Sequence, residues 1–206
     1  MRSTFLSNKN SFNLRIYYKK YHSKAINLFN DSEVRNYMNP DVFLKSKEYT
    51  GLTNSKLKNW EYNWGNNKLI QYKLISSNKY IPYWSGLFGE YYALGGLLSQ
   101  HKNVGCPVYL SHLKPDWECD NYIYEVKMRT YASKGSIGEK ILGTPLKYAD
   151  LPEIYNKPLK IILLGNQEYE AQHKFKIINC DISDEKKIIL DFLKNLNITY
   201  EAGSNL

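Results

Sequence analysis

No run of the sequence approaches the ~18 consecutive apolar residues of a membrane span, and the opening MRSTFLSNKNSFNLR lacks the apolar stretch of a secretory signal. Both absences lead to the expectation of a soluble, intracellular (cytoplasmic) protein with no membrane partner. Cysteine is scarce. Cys106, Cys119 and Cys180 are odd in number and share no CxxC spacing, so neither a disulfide framework nor a zinc site is indicated. All three are expected to be reduced, buried thiols. His22, His101, His112 and His173 show no metal-ligand spacing either. No internal repeat is present. No phosphate-binding loop pattern occurs, so no nucleotide cofactor is expected.

Aromatic side chains and positive charge are what the chain has in quantity. Tyrosine occurs 19 times, and a 43% hydrophobic fraction over 206 residues is enough to bury a core within one domain or a domain with an appended lobe. The mean hydropathy of -0.54 implies that part of the aromatic surface is exposed. The formal charge of +8 is unevenly placed. Residues 1–80 hold 14 Lys/Arg against 5 Asp/Glu, a net +9, whereas residues 81–206 hold 14 against 15, a net -1. A basic, aromatic-rich N-terminal lobe over 1–80 that binds polyanions, followed by a neutral core over 81–206, would have this distribution. A soluble basic lobe that binds nothing would have it too.

Residues 13–29 space Leu14, Tyr17, Tyr18, Tyr21, Ala25 and Leu28 along one helical face, and Asp31-Ser32 opens a second short helix that ends near Asn39-Pro40. KLIQYKLI (68–75) reads as a strand, and a boundary is placed near Asn78–Ser85. GLFGEYYALGGLLSQ (86–100) aligns Leu87, Tyr91, Leu94 and Leu98 and is read as a helix despite its glycines. VGCPVYLSHL (104–113) is apolar and β-prone, and PDWEC and YIYEVKMRTY flank Asp120-Asn121 as a hairpin. Residues 138–155 are expected to be helical with interruptions near Pro145 and Pro152, and 158–167 to form a buried strand. Residues 182–196 should be a terminal helix capped by Ser183, with Ile188, Ile189, Phe192 and Leu196 inward. From residue 86 to 167 the expected order is helix, three strands, helix, strand.

The chemistry centres on Glu125-Val126-Lys127. An acid-x-Lys triplet alone carries little, since Asp184 to Lys186 and Glu185 to Lys187 also match and read as solvated charges at a helix start. Position sets the third triplet apart. Side chains two apart on a strand share a face, so Glu125 and Lys127 point the same way. A two-residue turn at Asp120-Asn121 would set Cys119 opposite Tyr122 and Asp116 opposite Glu125, about 4.5–5.5 Å apart at Cβ. Opposed carboxylates destabilise a hairpin unless a cation lies between them. Asp116 and Glu125 offer hard oxygen ligands for Mg²⁺, with the Val126 carbonyl completing the shell, and Lys127 would orient a hydroxide and offset developing charge. The plainer reading is a surface ion pair among Lys127, Glu125 and Asp116.

Pro115-Asp116 followed by Glu125-Val126-Lys127 resembles the PD-(D/E)XK motif of the restriction-endonuclease-like superfamily. The order of elements is similar to that superfamily's core, and FGE at 88–90 resembles its supplementary acidic position at Glu90. The string YEVKMRTYASKGSIGEKILGTPLKYADLPEIYNKPLKIILLGNQE (124–168) looks like type II restriction endonucleases, including those of large DNA viruses; a viral origin would place the protein in an infected cell or virion. The likeness covers residues 86 to 168. The gap of eight residues between Asp116 and Glu125 is shorter than in many members, which leaves Asp120 as a rival to Asp116, although Asp120 falls at the turn.

The resemblance implies an α/β fold with a restriction-endonuclease-like core, in which a central mixed sheet is flanked by helices. It implies a Mg²⁺-dependent, sequence-specific endonuclease of duplex DNA, with Mn²⁺ as a substitute ion. Asp116, Glu125, Lys127 and Glu90 are the catalytic candidates; Asp116, Glu125, Val126 and Glu90 are the metal candidates. Lys134, Lys140, Lys147 and Gln167 are candidate nucleic-acid contacts, though solvated lysines need no such role. Duplex cleavage with one site per chain implies a homodimer. Trp60, Tyr62 and Trp64 would stack on bases or form a small core. The alternatives are a structure-selective nuclease, such as a Holliday-junction resolvase or repair nuclease, and a non-catalytic DNA-binding protein of the same fold.

Overall fold

A computed structural model of the chain describes residues 20–76, 80–133, 137–178 and 182–206. Lys134, Gly135, Cys180 and the first part of the helix expected over 13–29 lie outside the described residues. Helix α1 covers residues 20–30 and buries Ala25 and Leu28, as its periodicity requires. Asp31 caps α2 (Ser32–Met38) by accepting from the Glu33 and Val34 amides at 2.9 and 3.2 Å. Asn39 caps α3 (Pro40–Phe43) in the same way, with Pro40 in the first turn where no amide is needed. Two further helices follow, α4 (Lys47–Thr50) and α5 (Asn54–Gln71).

The strand expected over 68–75 is not formed; its first residues are the last turn of α5, which ends where Lys73 takes a positive φ of 54°. Helical spacing prevails because Trp64 and Lys68, four apart, both reach Glu33, at 2.7 and 2.6 Å. Helix α6 (Trp84–Gln100) follows, and its Gly89, Gly95 and Gly96 are sites of close approach. A Cβ on Gly89 would lie 2.6 Å from the Met128 Cβ, and one on Gly95 would lie 2.3 Å from the Ala25 carbonyl oxygen.

Four strands build one mixed sheet in the order β1 (Trp117–Glu118), β2 (Ile123–Arg129), β3 (Leu159–Gly165), β4 (Ile198–Ala202). The β1–β2 pair is antiparallel, and β2–β3 and β3–β4 are parallel. Helices α7 (Ile137–Lys147) and α8 (Leu151–Tyr155) supply the long crossover that parallel neighbours need, and α9 (Asn166–His173) with α10 (Asp184–Asn195) supplies the next. Strand β4, which is not among the elements expected from the sequence, alternates Ile198, Tyr200 and Ala202 with Thr199 and Glu201.

Successive residues of β2 and β3 face opposite layers. Tyr124, Val126, Ile162 and Leu164 join the core shared with α1, α2, α5 and α6. Ile123, Ile161 and Leu163 join the core beneath α7, α8 and α10. The segment read as an N-terminal lobe therefore shares one continuous core with the sheet.

Three further expectations are corrected. Residues 104–113 are irregular, with one isolated bridge from Gly105 to Glu118, because Pro107 has no amide and the Val108 amide is taken by the Glu118 carboxylate at 3.2 Å. Helix α7 runs through Pro145. The Ile141 carbonyl that Pro145 cannot serve accepts instead from the Tyr200 hydroxyl at 2.7 Å. In α10 only Leu193 is buried; Ile188, Ile189 and Phe192 are 70%, 52% and 56% exposed. Cys106 and Cys119 are buried and free.

Candidate active site

Strand β2 holds Glu125 and Lys127 on the face of Ile123, toward α7 and α8. The β1–β2 ladder has Trp117 opposite Tyr124 and Glu118 opposite Ile123, and the Cys119 amide donates to the Tyr122 carbonyl at 2.9 Å. This is the register that a two-residue Asp120-Asn121 turn dictates. The extrapolation to a directly opposed Asp116 and Glu125 is corrected, because the Asp116 amide donates instead to the Tyr124 carbonyl at 2.9 Å. The next rung would need an amide at position 115, and Pro115 has none. The Val126 amide turns to the Asp116 Oδ2 at 2.7 Å. The Val126 carbonyl, left without its ladder donor, lies 3.4 Å from the Lys127 Nζ.

Asp120 sits at the exposed turn and accepts from the Asn103 side chain at 2.9 Å, away from Glu125. Of the two candidate aspartates, Asp116 is the one whose charge is felt with those of Glu125 and Glu90. Glu90 is carried there by α6, which the Gly89–Met128 approach holds against β2. The Trp117 indole donates to the Glu90 carbonyl at 2.9 Å and ties α6 to β1.

Lys127 pairs with Glu125 Oε1, and its ammonium lies 6.0 Å from the centre of the Tyr148 ring. Glu125 is only 3% exposed, and its Oε2 has no hydrogen-bond partner among the described residues. Burial, then the Glu125 and Glu90 charges, push the Asp116 carboxyl up to about 8, against the pull of the Val126 amide and Lys127. Burial and Glu125 raise Glu90 as well, opposed by Lys127 and Lys114. The Tyr148 hydroxyl is driven far up by burial and by the neighbouring Glu125 carboxylate.

Three mutually repelling carboxylates thus share a small, partly dry volume with one ammonium in direct contact. Among the described residues no three Asp, Glu, His or Cys side chains form a preassembled cage for a metal ion. The hard oxygen donors brought near one another are the carboxylates of Asp116, Glu125 and Glu90, of which Glu125 Oε2 is without a hydrogen-bond partner, and the Val126 carbonyl.

The remaining candidates divide. Lys140 and Lys147 are exposed on α7, and the Lys147 ammonium stands 4.9 Å from the Tyr148 ring centre. Gln167 is fully buried at the start of α9, so a direct contact with nucleic acid, the role expected of it, is not open to it in this conformation. Tyr148 and Lys114 were not anticipated. Lys114 directly precedes the Pro115-Asp116 pair, so its proximity was there to be read; Tyr148 reaches the site only through the β2–β3 crossover. Compared with protein-family models, curated proteins and solved structures, the chain matches none.

Proposed function

We propose that the protein is a metal-dependent endonuclease of restriction type that hydrolyses phosphodiester bonds of duplex DNA. The observation that carries this reading is the gathering of Asp116, Glu125 and Glu90 beside Lys127, with one buried Glu125 oxygen unpartnered. A purely structural ion pair would leave no reason for a third carboxylate, nor for an Asp116 that holds its proton to about pH 8. Asp116 and Glu125 would hold the ion, with the Val126 carbonyl and Glu90 beside them. A bound ion would supply a water of lowered pKa and polarise the phosphate.

The chain's own groups do the rest. Lys127 sits where its ammonium can orient a nucleophilic water and offset charge on the phosphate. Glu90 adds a third carboxylate from the α6 side. The Val126 amide keeps Asp116 in place through the 2.7 Å bond. The basic surface of residues 1–80, net +9, would hold the duplex backbone. Sequence-specific cutting by a homodimer, with a restriction-endonuclease-like core, belongs to the same proposal and is supported by the motif; of the three strands expected between α6 and α7, two are formed.

The test is incubation of the protein with mixed plasmid DNA and Mg²⁺ or Mn²⁺, followed by sequencing of fragment ends. Discrete ends at one short sequence that vanish in Lys127→Ala support the reading. No cutting with either ion, at any DNA structure offered, overturns it.

A further inference from the structure

Away from the carboxylate cluster, α10 turns Ile188, Ile189 and Phe192 to solvent while only Leu193 is buried. Beside that stripe, Ile189, Leu190 and Leu193 line an apolar cavity of about 130 Å³ together with Leu142 of α7 and Tyr200 of β4. Leu142 and Leu146, one turn apart on α7, are themselves 50% and 73% exposed, so the apolar surface continues from α10 onto α7. A contiguous surface of this kind marks an interaction site, because covering it removes apolar area from water.

The charges that flank the stripe decide what covers it. At 3.6 residues per turn, Asp184, Lys187, Asp191 and Lys194 fall within a strip of about 80° along one side of Ile188 and Phe192. All four are exposed, and their signs alternate along the helix. Asp184 and Lys194 each lie five residues from Ile189, and Lys187 and Asp191 each lie two. In two α10 helices run antiparallel about a twofold axis beside Ile189, the same flank of each helix meets the other. Asp184 then stands opposite Lys194 and Lys187 opposite Asp191. The twofold repeats each pair, and none of the four charges faces its own sign. A lipid surface fits less well: Asp184, Glu185 and Asp191 offset Lys186, Lys187 and Lys194, whereas a helix lying in a membrane interface carries an excess of Lys and Arg.

We propose that α10 is the interface between two copies of this chain, paired antiparallel about Ile189 and extended by Leu142 and Leu146 of α7. A helix of 12 residues is short for an interface of ~800 Å² per partner, so the α7 side chains belong to the contact. The use of such a dimer, one site for each strand of a duplex, rests on the nuclease reading; the surface itself rests on the apolar stripe and the charge pattern.

The test is sedimentation velocity of the full chain over a range of concentrations, without DNA or divalent metal, so that its outcome is independent of cutting. The wild type is expected to sediment as a dimer, and Phe192→Asp as a monomer with an unchanged circular dichroism spectrum. Lys187→Asp and Asp191→Lys should each weaken association by roughly tenfold or more, since like charges then face each other on both sides of the axis. The combined variant Lys187→Asp/Asp191→Lys should recover the wild-type dissociation constant, which a merely weakened helix would not do. If Phe192→Asp does not fold, the charge variants decide alone. A wild type that stays monomeric, a dimer indifferent to Phe192→Asp, or no recovery in the combined variant each overturns the proposal. Cross-links from Lys187 or Lys194 to residues 1–19 of the same monomer overturn it too, because the chain's own start would then cover the face. None of these outcomes touches the cleavage assay.

Discussion

The backbone amide of Val126 donates to the Asp116 Oδ2 at 2.7 Å, so the two halves of the acidic motif are bound to each other by the residue between Glu125 and Lys127. That bond takes the Val126 amide out of the ladder, and Pro115, which has no amide, leaves the Val126 carbonyl without a ladder donor. It holds a carboxylate beside two others without a salt bridge of its own; the bond favours the charged form, whereas burial and the two neighbouring charges raise the carboxyl and lead to the first expected outcome.

Asp116→Asn should change how stability depends on pH. The native carboxyl titrates at about 8 and an unfolded aspartate near 3.9, so between these values the native state binds the extra proton. Its protonation stabilises the fold below pH ~4, and that contribution is lost as pH rises toward about 8. The metal-free wild type should therefore melt at lower temperature at pH 8 than at pH 5. Asp116→Asn should flatten that slope, and added Mg²⁺ should raise the wild-type midpoint most at pH 8. Thermal melts across pH, with and without the ion, check this; an unaltered slope in Asp116→Asn would contradict it.

Lys127→Ala should leave the fold intact and lower cleavage by at least about 10²-fold, the range typical of a lost electrostatic donor at a reacting centre. Lys127→Arg should restore little, because a guanidinium does not replace a compact ammonium at such a site. Single-turnover rates beside circular dichroism spectra separate a catalytic loss from an unfolded variant.

Glu61 is 1% exposed and accepts from the Tyr37 hydroxyl at 2.8 Å and from the Tyr131 and Ala132 amides at 2.7 and 3.0 Å. Glu61→Ala would orphan three buried donors and should lower stability by about 3 kcal/mol or more. Urea unfolding reads this directly. Cleavage should fall with it, because the released segment begins just after β2.

Tyr200→Phe should cost about 1 kcal/mol by leaving the Ile141 carbonyl unserved. In a Pro145→Ala background the restored amide can take that carbonyl, so the same change should cost less. A double-mutant cycle in urea tests the coupling, and strict additivity would refute the account given for the proline inside α7.

Local signals in the sequence carried much of this protein. The caps at Asp31 and Asn39, the 3.6-residue spacing over Trp84–Gln100, the buried run Leu159–Gly165 and the hairpin register set by Asp120-Asn121 all depend on neighbours within a few residues. The same short-range logic placed Asp116, Glu125 and Lys127 close together, since strand parity and turn length are local quantities.

What failed in the sequence reading had long-range causes. Residues 68–75 are expected to form a strand, yet Lys68 is held in a helix by Asp31 and Glu33, 37 and 35 positions away. The apolar face of α10 looks like a core face, yet only Leu193 on it is buried, because its cover has to come from outside the helix. Tyr148 reaches Glu125 only because the β2–β3 crossover brings it back over the strand. Hydrophobic period and turn chemistry determine which elements form; which side chains meet across them is decided by tertiary packing, because the energy of burial is collected only once distant segments exclude water from one another.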